Sequence, residues 1–315
     1  MILKWRPILY NIHGDEYKIA KELGMQQKLK NLSEALEIVK DGNSVALGGV
    51  LNNRLPVALT FELIRRGLKN LDIISLEAPF LFDVLIGAGC VRSLDTAYCG
   101  FASPTLGFAH MPCFRRAVEG GTIQMKENIG DCFILGFEIG RLGVPFLALR
   151  SLSGSDVLAT RPEYFKPIRS PYTEEEMIAI PAYNPDVALI HAKQADVFGN
   201  VLLEEPGFGL DEKIAFASKK VIVSVEQIVP HEQLLGRVNI PHFLVSAVVE
   251  VPWGAYPTAN HPFYEVDYRH LEKYLKAARE PATFQSYLKK YVFECPDHST
   301  YVELACGAVT GRQGG

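Results

Sequence analysis

From residue 31 onward, short apolar runs alternate with stretches in which apolar side chains recur every three or four positions. The first such stretch, NLSEALEIVKDG, puts Leu32, Leu36 and Val39 on one helical face, with Ser33 as the expected N-cap and Gly42 as a stop. The apolar run SVALGGV then predicts a strand, and PVALTFELIRRGLK a helix closed by Gly67. LDIISLEA reads as a strand, FDVLIGAG as a short helix ending at Gly89, VRSLDTAYCG as a strand and PCFRRAVEGG as a helix. DCFILGFEIGRLG continues as a helix and PFLALRS as a strand. Further on, DVALIHAKQAD, KKVIVSVEQIV and FLVSAVVEVPWGA read as strands. A long helical run, YRHLEKYLKAAREPATFQSYLKKYVFE, follows and is divided by Pro281. Apolar strands interleaved with helices predict an α/β fold: an open, largely parallel sheet flanked by helices, with a C-terminal helical segment.

No internal repeat or Ser/Gly/Pro-rich linker breaks this pattern, so residues 31–306 are expected to form a single α/β domain. Residues 1–30 read as an N-terminal appendage able to form a short polar helix, and the Gly-rich stretch 307–315 as a flexible tail. The clusters RPEYFKPIRSPY and TEEEM read as a solvated connection.

Composition narrows the partners. At 48% hydrophobic and 22% charged residues the chain has the balance of a globular protein with a sizeable core. Net charge is −4 and no basic cluster appears, which argues against nucleic acid, because phosphate binding needs a concentrated basic face. None of the six cysteines forms a C-x-x-C pair; they read as buried thiols, with neither a metal site nor a disulfide framework. The N-terminus lacks the continuous apolar segment of a secretory signal. The longest uncharged run, TAYCGFASPTLGFAHMPCF, is broken by Pro104 and Pro112 and reads as buried loop and strand. No membrane segment is expected, and the cytoplasm is the default compartment.

Candidate chemistry gathers after the strands. The first strand ends in Gly48 and Gly49, which let backbone approach something that a Cβ would block. In a parallel sheet, ligands bind outside the carboxyl ends of strands. Asn52, Asn53 and Arg54 follow, ahead of a helix that Pro56 opens, a setting suited to a carboxylate or phosphate. A tight turn with a solvated arginine explains the same residues. Ser75 and Glu77 fall just past the second strand. Arg150, Ser153, Gly154, Ser155 and Asp156 follow a later one, where hydroxyls and turn N–H groups can bind a carboxylate or simply make a turn. His191 and Gln194 stand at the expected end of another strand, and Asp196, Gly199 and Asn200 predict a tight turn. A lone strand histidine is more often a satisfied core residue than a catalyst. Tyr98, Gly100 and Phe101 line a pocket or belong to the core. Neither G-x-G-x-x-G nor a P-loop occurs.

The stretch DGNSVALGGVLNNRLP closely resembles the N-terminal signature of the class I coenzyme A transferases. Asp41, Gly42, Val45, Ala46, Leu47, Gly48, Gly49 and Pro56 match it; Val50 replaces the usual Phe, and Arg54 stands where many members have Gly. The arginine version resembles the A (alpha) subunit of the glutaconate type. FDVLIGAGCVR, GVPFLALRSLSGSD, IPAYNPDVALIHAKQADVFGNV and VPWGAYPTA are similar to further segments of that branch in the same order, so the resemblance runs from about residue 31 to about residue 306.

The resemblance implies transfer of coenzyme A between carboxylic acids, dicarboxylic ones among them, through a glutamyl-thioester. The family's catalytic glutamate lies in a Ser-Glu-Asn-Gly motif on a B subunit, and this sequence contains no such motif. The chain is therefore expected to be one half of a hetero-oligomer. Coenzyme A and acyl-coenzyme A enter as substrates; no permanently bound cofactor and no metal are implied. In this setting Gly48 and Gly49 let the backbone approach a shared pocket. Arg54 meets a distal carboxylate or a coenzyme A phosphate, or holds a carboxylate of its own subunit. Ser75, Ser153, Gly154 and Ser155 are further binding candidates. Glu77 departs from the small residues of the glutaconate type; it can serve as acid or base, repel a diacid, or be an ordinary loop carboxylate. Together with Val50 and GFEIGRLG, it keeps an acyl-coenzyme A hydrolase or decarboxylase on the same fold as the alternative. A non-catalytic partner of an enzyme is a third reading.

Overall fold

The computed structural model describes residues 26–105, 107–150, 152, 154–203 and 209–306. The readings made for residues 1–25, Ser153 and 307–315 lie outside the described residues. The strands are β1 (Ser44–Leu47), β2 (Leu71–Ile74), β3 (Val91–Thr96), β4 (Gly100–Ser103), β5 (Gly107–His110), β6 (Gln124–Glu127), β7 (Phe146–Leu149), β8 (Lys166–Arg169), β9 (Glu176–Pro181), β10 (Val187–Ala195), β11 (Val201–Leu202), β12 (Lys220–Ile228) and β13 (Ala247–Glu250). The helices are α1 (Leu32–Ala35), α2 (Val57–Arg65), α3 (Pro79–Gly87), α4 (Pro112–Glu119), α5 (Gly130–Arg141), α6 (Val157–Thr160), α7 (Leu210–Ala217), α8 (Tyr268–Ala278), α9 (Pro281–Leu288) and α10 (His298–Cys306).

The main sheet has the order β13-β12-β10-β1-β2-β3-β6 with every pair parallel, and β11 folds back antiparallel on β10. From β1 the chain lays β2, β3 and β6 on one side, then returns to place β10, β12 and β13 on the other. The period-two alternation of each strand divides the core between the sheet's two faces. Val45, Leu47, Leu71, Ile73 and Leu94 pack on one face with Phe61 of α2, Phe80 of α3 and the tyrosines of the C-terminal helices. Ala46, Ala188, Ile190, Val221 and Val223 pack on the other with Phe133 and Phe137 of α5 and Ile214 of α7.

Local chemistry corrects several sequence expectations. α1 is a single turn capped by Asn31, not Ser33. The Asn31 side chain accepts from the Glu34 N–H at 2.8 Å and the Glu34 carboxylate accepts from the Asn31 N–H at 3.4 Å, a reciprocal capping box. α3 starts at Pro79, because proline suits the first helical turn, where its missing N–H costs nothing. PFLALRS forms a strand but joins a separate antiparallel sheet, order β7-β9-β8. The stretch read as a solvated connection supplies β8 and a buried arginine. Arg161 stacks 4.2 Å over the Tyr164 ring and pairs with Asp95 at 3.0 Å. Residues 28–30 hydrogen-bond to Val197 and along Val248 on the β13 edge, which draws the described end of the N-terminal segment onto the sheet. Among the described residues, no helix is long and apolar enough to cross a membrane.

The C-terminal helices bring buried titratable groups into the aromatic core. His270 meets the Tyr287 hydroxyl at 2.8 Å, and His298 meets the Trp253 carbonyl at 2.8 Å. Burial lowers both imidazoles to about 4. Asp83 accepts from the Phe114 N–H at 2.7 Å and the Tyr274 hydroxyl at 2.6 Å, yet its complete burial outweighs these bonds and raises it to about 6. The signs differ. Each histidine gives stability that is present above the unfolded value and is lost as pH falls toward about 4, on the order of 3 kcal/mol apiece. Asp83, being raised, returns roughly 3 kcal/mol as pH falls through about 6. The net expectation is a loss of about 3 kcal/mol between pH 7 and pH 4 from these three groups. Urea unfolding at the two pH values checks it, and equal midpoints would refute the assignment.

Candidate functional site

Strand order reverses between β1 and β10, the point at which open parallel sheets form a crevice outside their carboxyl ends. The Gly48–Gly49 turn sits there. The Gly48 N–H donates to the Leu189 carbonyl at 2.9 Å, which holds the end of β1 against β10. A Cβ on Gly48 would lie 2.5 Å from Asp211 Oδ1, so the missing side chain makes room for a carboxylate of the same chain. Gly49 adopts φ +75°, where a side chain would be strained, and a Cβ there would meet the Asn53 and Arg54 carbonyl oxygens at 2.7 Å. Its N–H donates to Asp211 Oδ1 at 2.8 Å.

Asp211 stands in the first turn of α7, where the helix dipole favours an anion. Its other oxygen faces Arg54 Nη1 at 2.9 Å, an ion pair with both side chains under a tenth exposed (7% and 3%). The contact is close but lies outside hydrogen-bond geometry, since Arg54 Nη1 and Asp211 Oδ2 find no hydrogen-bond partner among the described residues. Arg54 is also held by its backbone, at φ +54°, with its N–H donating to the Ala259 carbonyl at 2.7 Å. Of the roles open to Arg54, this arrangement shows the one in which it holds a structural carboxylate of its own chain.

The segment after β13 clasps this turn. The Ala58 N–H donates to the Gly254 carbonyl, the Leu55 N–H to the Thr258 hydroxyl and the Ala259 N–H to the Asn52 carbonyl. The clasp is anchored on Glu226 of β12. One carboxylate oxygen accepts from His191 Nε2 at 2.7 Å, Asn260 Nδ2 at 3.1 Å and the Tyr264 hydroxyl; the other accepts from the Trp253 N–H at 2.7 Å. Burial alone would raise this carboxyl, but its hydrogen bonds and the facing His191 hold it below the ordinary glutamate value. His191 lies inside β10 rather than at its end, fully buried, with Nδ1 on the Ser224 hydroxyl at 2.8 Å. It is a satisfied core residue. Sequence reading missed Asp211, Glu226, Asn260 and Tyr264. The usable signal was Glu226, a lone acid inside the apolar strand VIVSVEQIV.

Beyond the filled crevice, the carboxyl ends of β2 and β3 carry the partnerless groups. Ser75 is fully buried and its hydroxyl has no partner among the described residues. Glu77 is partly buried. Its carbonyl accepts from the Leu51 N–H at 2.5 Å, which joins it to the glycine turn. Among the described residues no hydrogen bond or ion pair reaches its carboxylate, and burial raises its pKa above the ordinary value. Asn52 Nδ2 donates to the Ala102 carbonyl at 3.2 Å and so ties the turn to the β4–β5 hairpin. The Oδ1 atoms of Asn52 and Asn53 are buried without a donor. Phe101 of the hairpin is core, whereas Tyr98 and Gly100 line an open cleft of about 630 Å³ together with Phe108, His110 and Phe114.

The remaining candidates separate from this edge. Gly154, Ser155 and Asp156 form an exposed turn after β7, which belongs to the antiparallel sheet, so the parallel sheet's carboxyl ends do not deliver them. Arg150 is exposed and pairs with Glu175 at 3.0 Å. Gln194 pairs with Gln227 at the surface. Asp196 accepts from the N–H groups of Phe198, Gly199 and Asn200, which makes the predicted turn. Among the described residues, no group of three or more His, Cys, Asp or Glu side chains is placed to hold a metal. The edge thus gathers Gly48, Gly49, Arg54, Ser75 and Glu77, of which the first four are buried and Glu77 is partly exposed.

Comparison with known proteins agrees with this architecture. The family model for coenzyme A transferase matches residues 29–251. The A subunit of the 3-oxoadipate CoA-transferase of Pseudomonas knackmussii is 36% identical over 281 residues, covering 87% of this chain and 96% of its own length. The crystal structure of glutaconate coenzyme A-transferase from Acidaminococcus fermentans superposes with a TM-score of 0.83 at 31% identity, covering 89% of this chain and 93% of that one. The crystal structure of a variant of the decarboxylase AibA/AibB superposes with a TM-score of 0.76 at 33% identity, covering 84% of this chain and all of that one.

Proposed function

Because the chain belongs to the coenzyme A transferase family, we propose that it is the A subunit of a two-subunit enzyme that moves coenzyme A between carboxylic acids, with the catalytic glutamate supplied by a B subunit. The observation that carries this reading is the match over 96% of a CoA-transferase A subunit by a chain that contains no Ser-Glu-Asn-Gly. Its own carboxyl edge offers a clamped turn with the partly exposed Glu77 beside it.

The division of labour follows. The partner's glutamate would carry coenzyme A as a thioester between donor and acceptor acids. This chain would shape the acyl side: the Gly48–Gly49 turn, clamped by Asp211 and Arg54, forms a wall, and the partly exposed Glu77, joined to that turn through Leu51, stands at its edge. Gly154 and Ser155 could contribute only as an exposed turn, as their position requires. Coenzyme A and its thioesters are substrates, no resident cofactor is needed, and a cytoplasmic setting is part of the same proposal. Two of the relatives are named for 3-oxoadipate and glutaconate, both diacids; those names describe the relatives and leave the acid class of this chain to its own edge.

The test is co-expression with the B subunit, incubation with acyl-coenzyme A and treatment with borohydride, which reduces a glutamyl-thioester. The expected result is inactivation that requires the substrate, with a mass change on the partner. A stable complex that consumes acyl-coenzyme A without being trapped would instead favour a hydrolase or decarboxylase. The decarboxylase superposition and the partnerless Glu77 carboxylate support that second reading.

A further inference from the structure

We propose that the acyl group received at this edge carries no second carboxylate, and that Glu77 is the specificity-determining residue that excludes one. The inference rests on the reading that the carboxyl ends of β1, β2 and β3 line the acyl pocket. A distal carboxylate needs an unspent cation or converging N–H donors, because an anion moved out of water without them is costly. The described segments at this edge are residues 48–56, 75–79, 97–105 and 107–111. Their only Asp, Glu, Lys, Arg or His residues are Arg54, Glu77 and His110. Arg54 is buried against Asp211, so its charge is matched within the chain. His110 is exposed on the outer strand of the hairpin. Glu77 is left as the unmatched charge, and it is negative.

The unpartnered buried atoms point the same way. Asn52 Oδ1 and Asn53 Oδ1 are buried acceptors without a donor among the described residues, and the Ser75 hydroxyl is fully buried, so none of the three supplies a positive charge to an acyl group. Glu77 is left as the partly exposed charged group of this edge, and its carboxylate offers only lone pairs. Such a lining suits an alkyl chain or one bearing a hydroxyl donor, and it opposes a terminal carboxylate, since like charges brought together in a partly desolvated cleft repel strongly.

The experiment uses the assembled A/B enzyme and compares kcat/KM for hexanoyl-coenzyme A and adipyl-coenzyme A, which have the same chain length and differ by one carboxylate. Acyl-coenzyme A consumption is the readout, whether coenzyme A passes to an acid or to water. Preference is therefore measured even if borohydride trapping fails and the enzyme is a hydrolase, whereas release of carbon dioxide from a carboxyacyl-coenzyme A would overturn the proposal. The expected result is at least about a tenfold preference for hexanoyl-coenzyme A, which Glu77→Gln narrows by a similar factor while Glu77→Asp retains it. Comparable use of adipyl-coenzyme A by the wild type, or a ratio that Glu77→Gln does not move, would overturn the proposal. Should Glu77→Gln not assemble, Glu77→Ala takes its place, and a ratio that this variant leaves unmoved would sink the idea.

Discussion

Replacing Glu226 with Ala should destabilise the folded chain by about 3–5 kcal/mol, because it removes the acceptor on which four buried donors converge. His191 Nε2, the Asn260 amide, the Tyr264 hydroxyl and the Trp253 N–H would all lose their partner, in a region where water does not reach His191 or Asn260. The damage would travel along the chain. Residues 253–260 hold the glycine turn through the bonds from Ala58, Leu55 and Ala259, so amide exchange at these positions should accelerate before global unfolding. Glu226→Gln keeps the volume and one acceptor oxygen, and should cost less than Ala. The carboxyl is held below its usual value, so its contribution is present at neutral pH and lost as pH falls through the folded value. Urea titration of the three proteins with exchange mass spectrometry is the measurement. Equal stability of wild type and Glu226→Ala would remove the clasp from the account.

Asp211→Ala should cost a similar 3–5 kcal/mol, roughly, since it leaves the Arg54 guanidinium buried and uncompensated. It also takes the acceptor from the Gly49 N–H, which donates across 162 residues of chain. The paired variant Arg54→Met/Asp211→Leu should recover much of the loss, because an apolar pair of similar volume removes the stranded charge. Thermal and urea unfolding of the three variants form a double-mutant cycle. If Asp211→Ala unfolds like the wild type while Arg54→Ala raises KM for the acid, Arg54 serves the substrate and the ion pair is incidental. Strong coupling between the two positions would support the internal clamp.

The elements were legible in the sequence because their signals are local. Apolar runs such as VALIHA and VIVSV can be buried on both faces only in a parallel sheet, and prolines and glycines at Pro56, Gly67, Gly89 and Pro281 punctuate the helices. The motif DGNSVALGG with its following segments was sufficient to place the chain near a family. It was even sufficient to locate Gly48, Gly49, Ser75 and Glu77 on the carboxyl edge, since residues just past parallel strands must emerge there. Partnership was another matter. Asn31 and Ser33 are both competent caps, and only the helix's actual start chose between them. The strand Phe146–Leu149 looks like its parallel neighbours, because an apolar run does not encode which strand it will pair with. Arg161 read as solvated until Asp95 and Tyr164, both distant or differently faced in the sequence pattern, closed around it. The two glycines asked for a close neighbour, and the sequence alone determined that much. That the neighbour is Asp211, with Arg54 turned inward to meet it and Glu77 left without a partner among the described residues, was decided by the tertiary structure, since charges far apart in the chain are matched only when the fold brings them together.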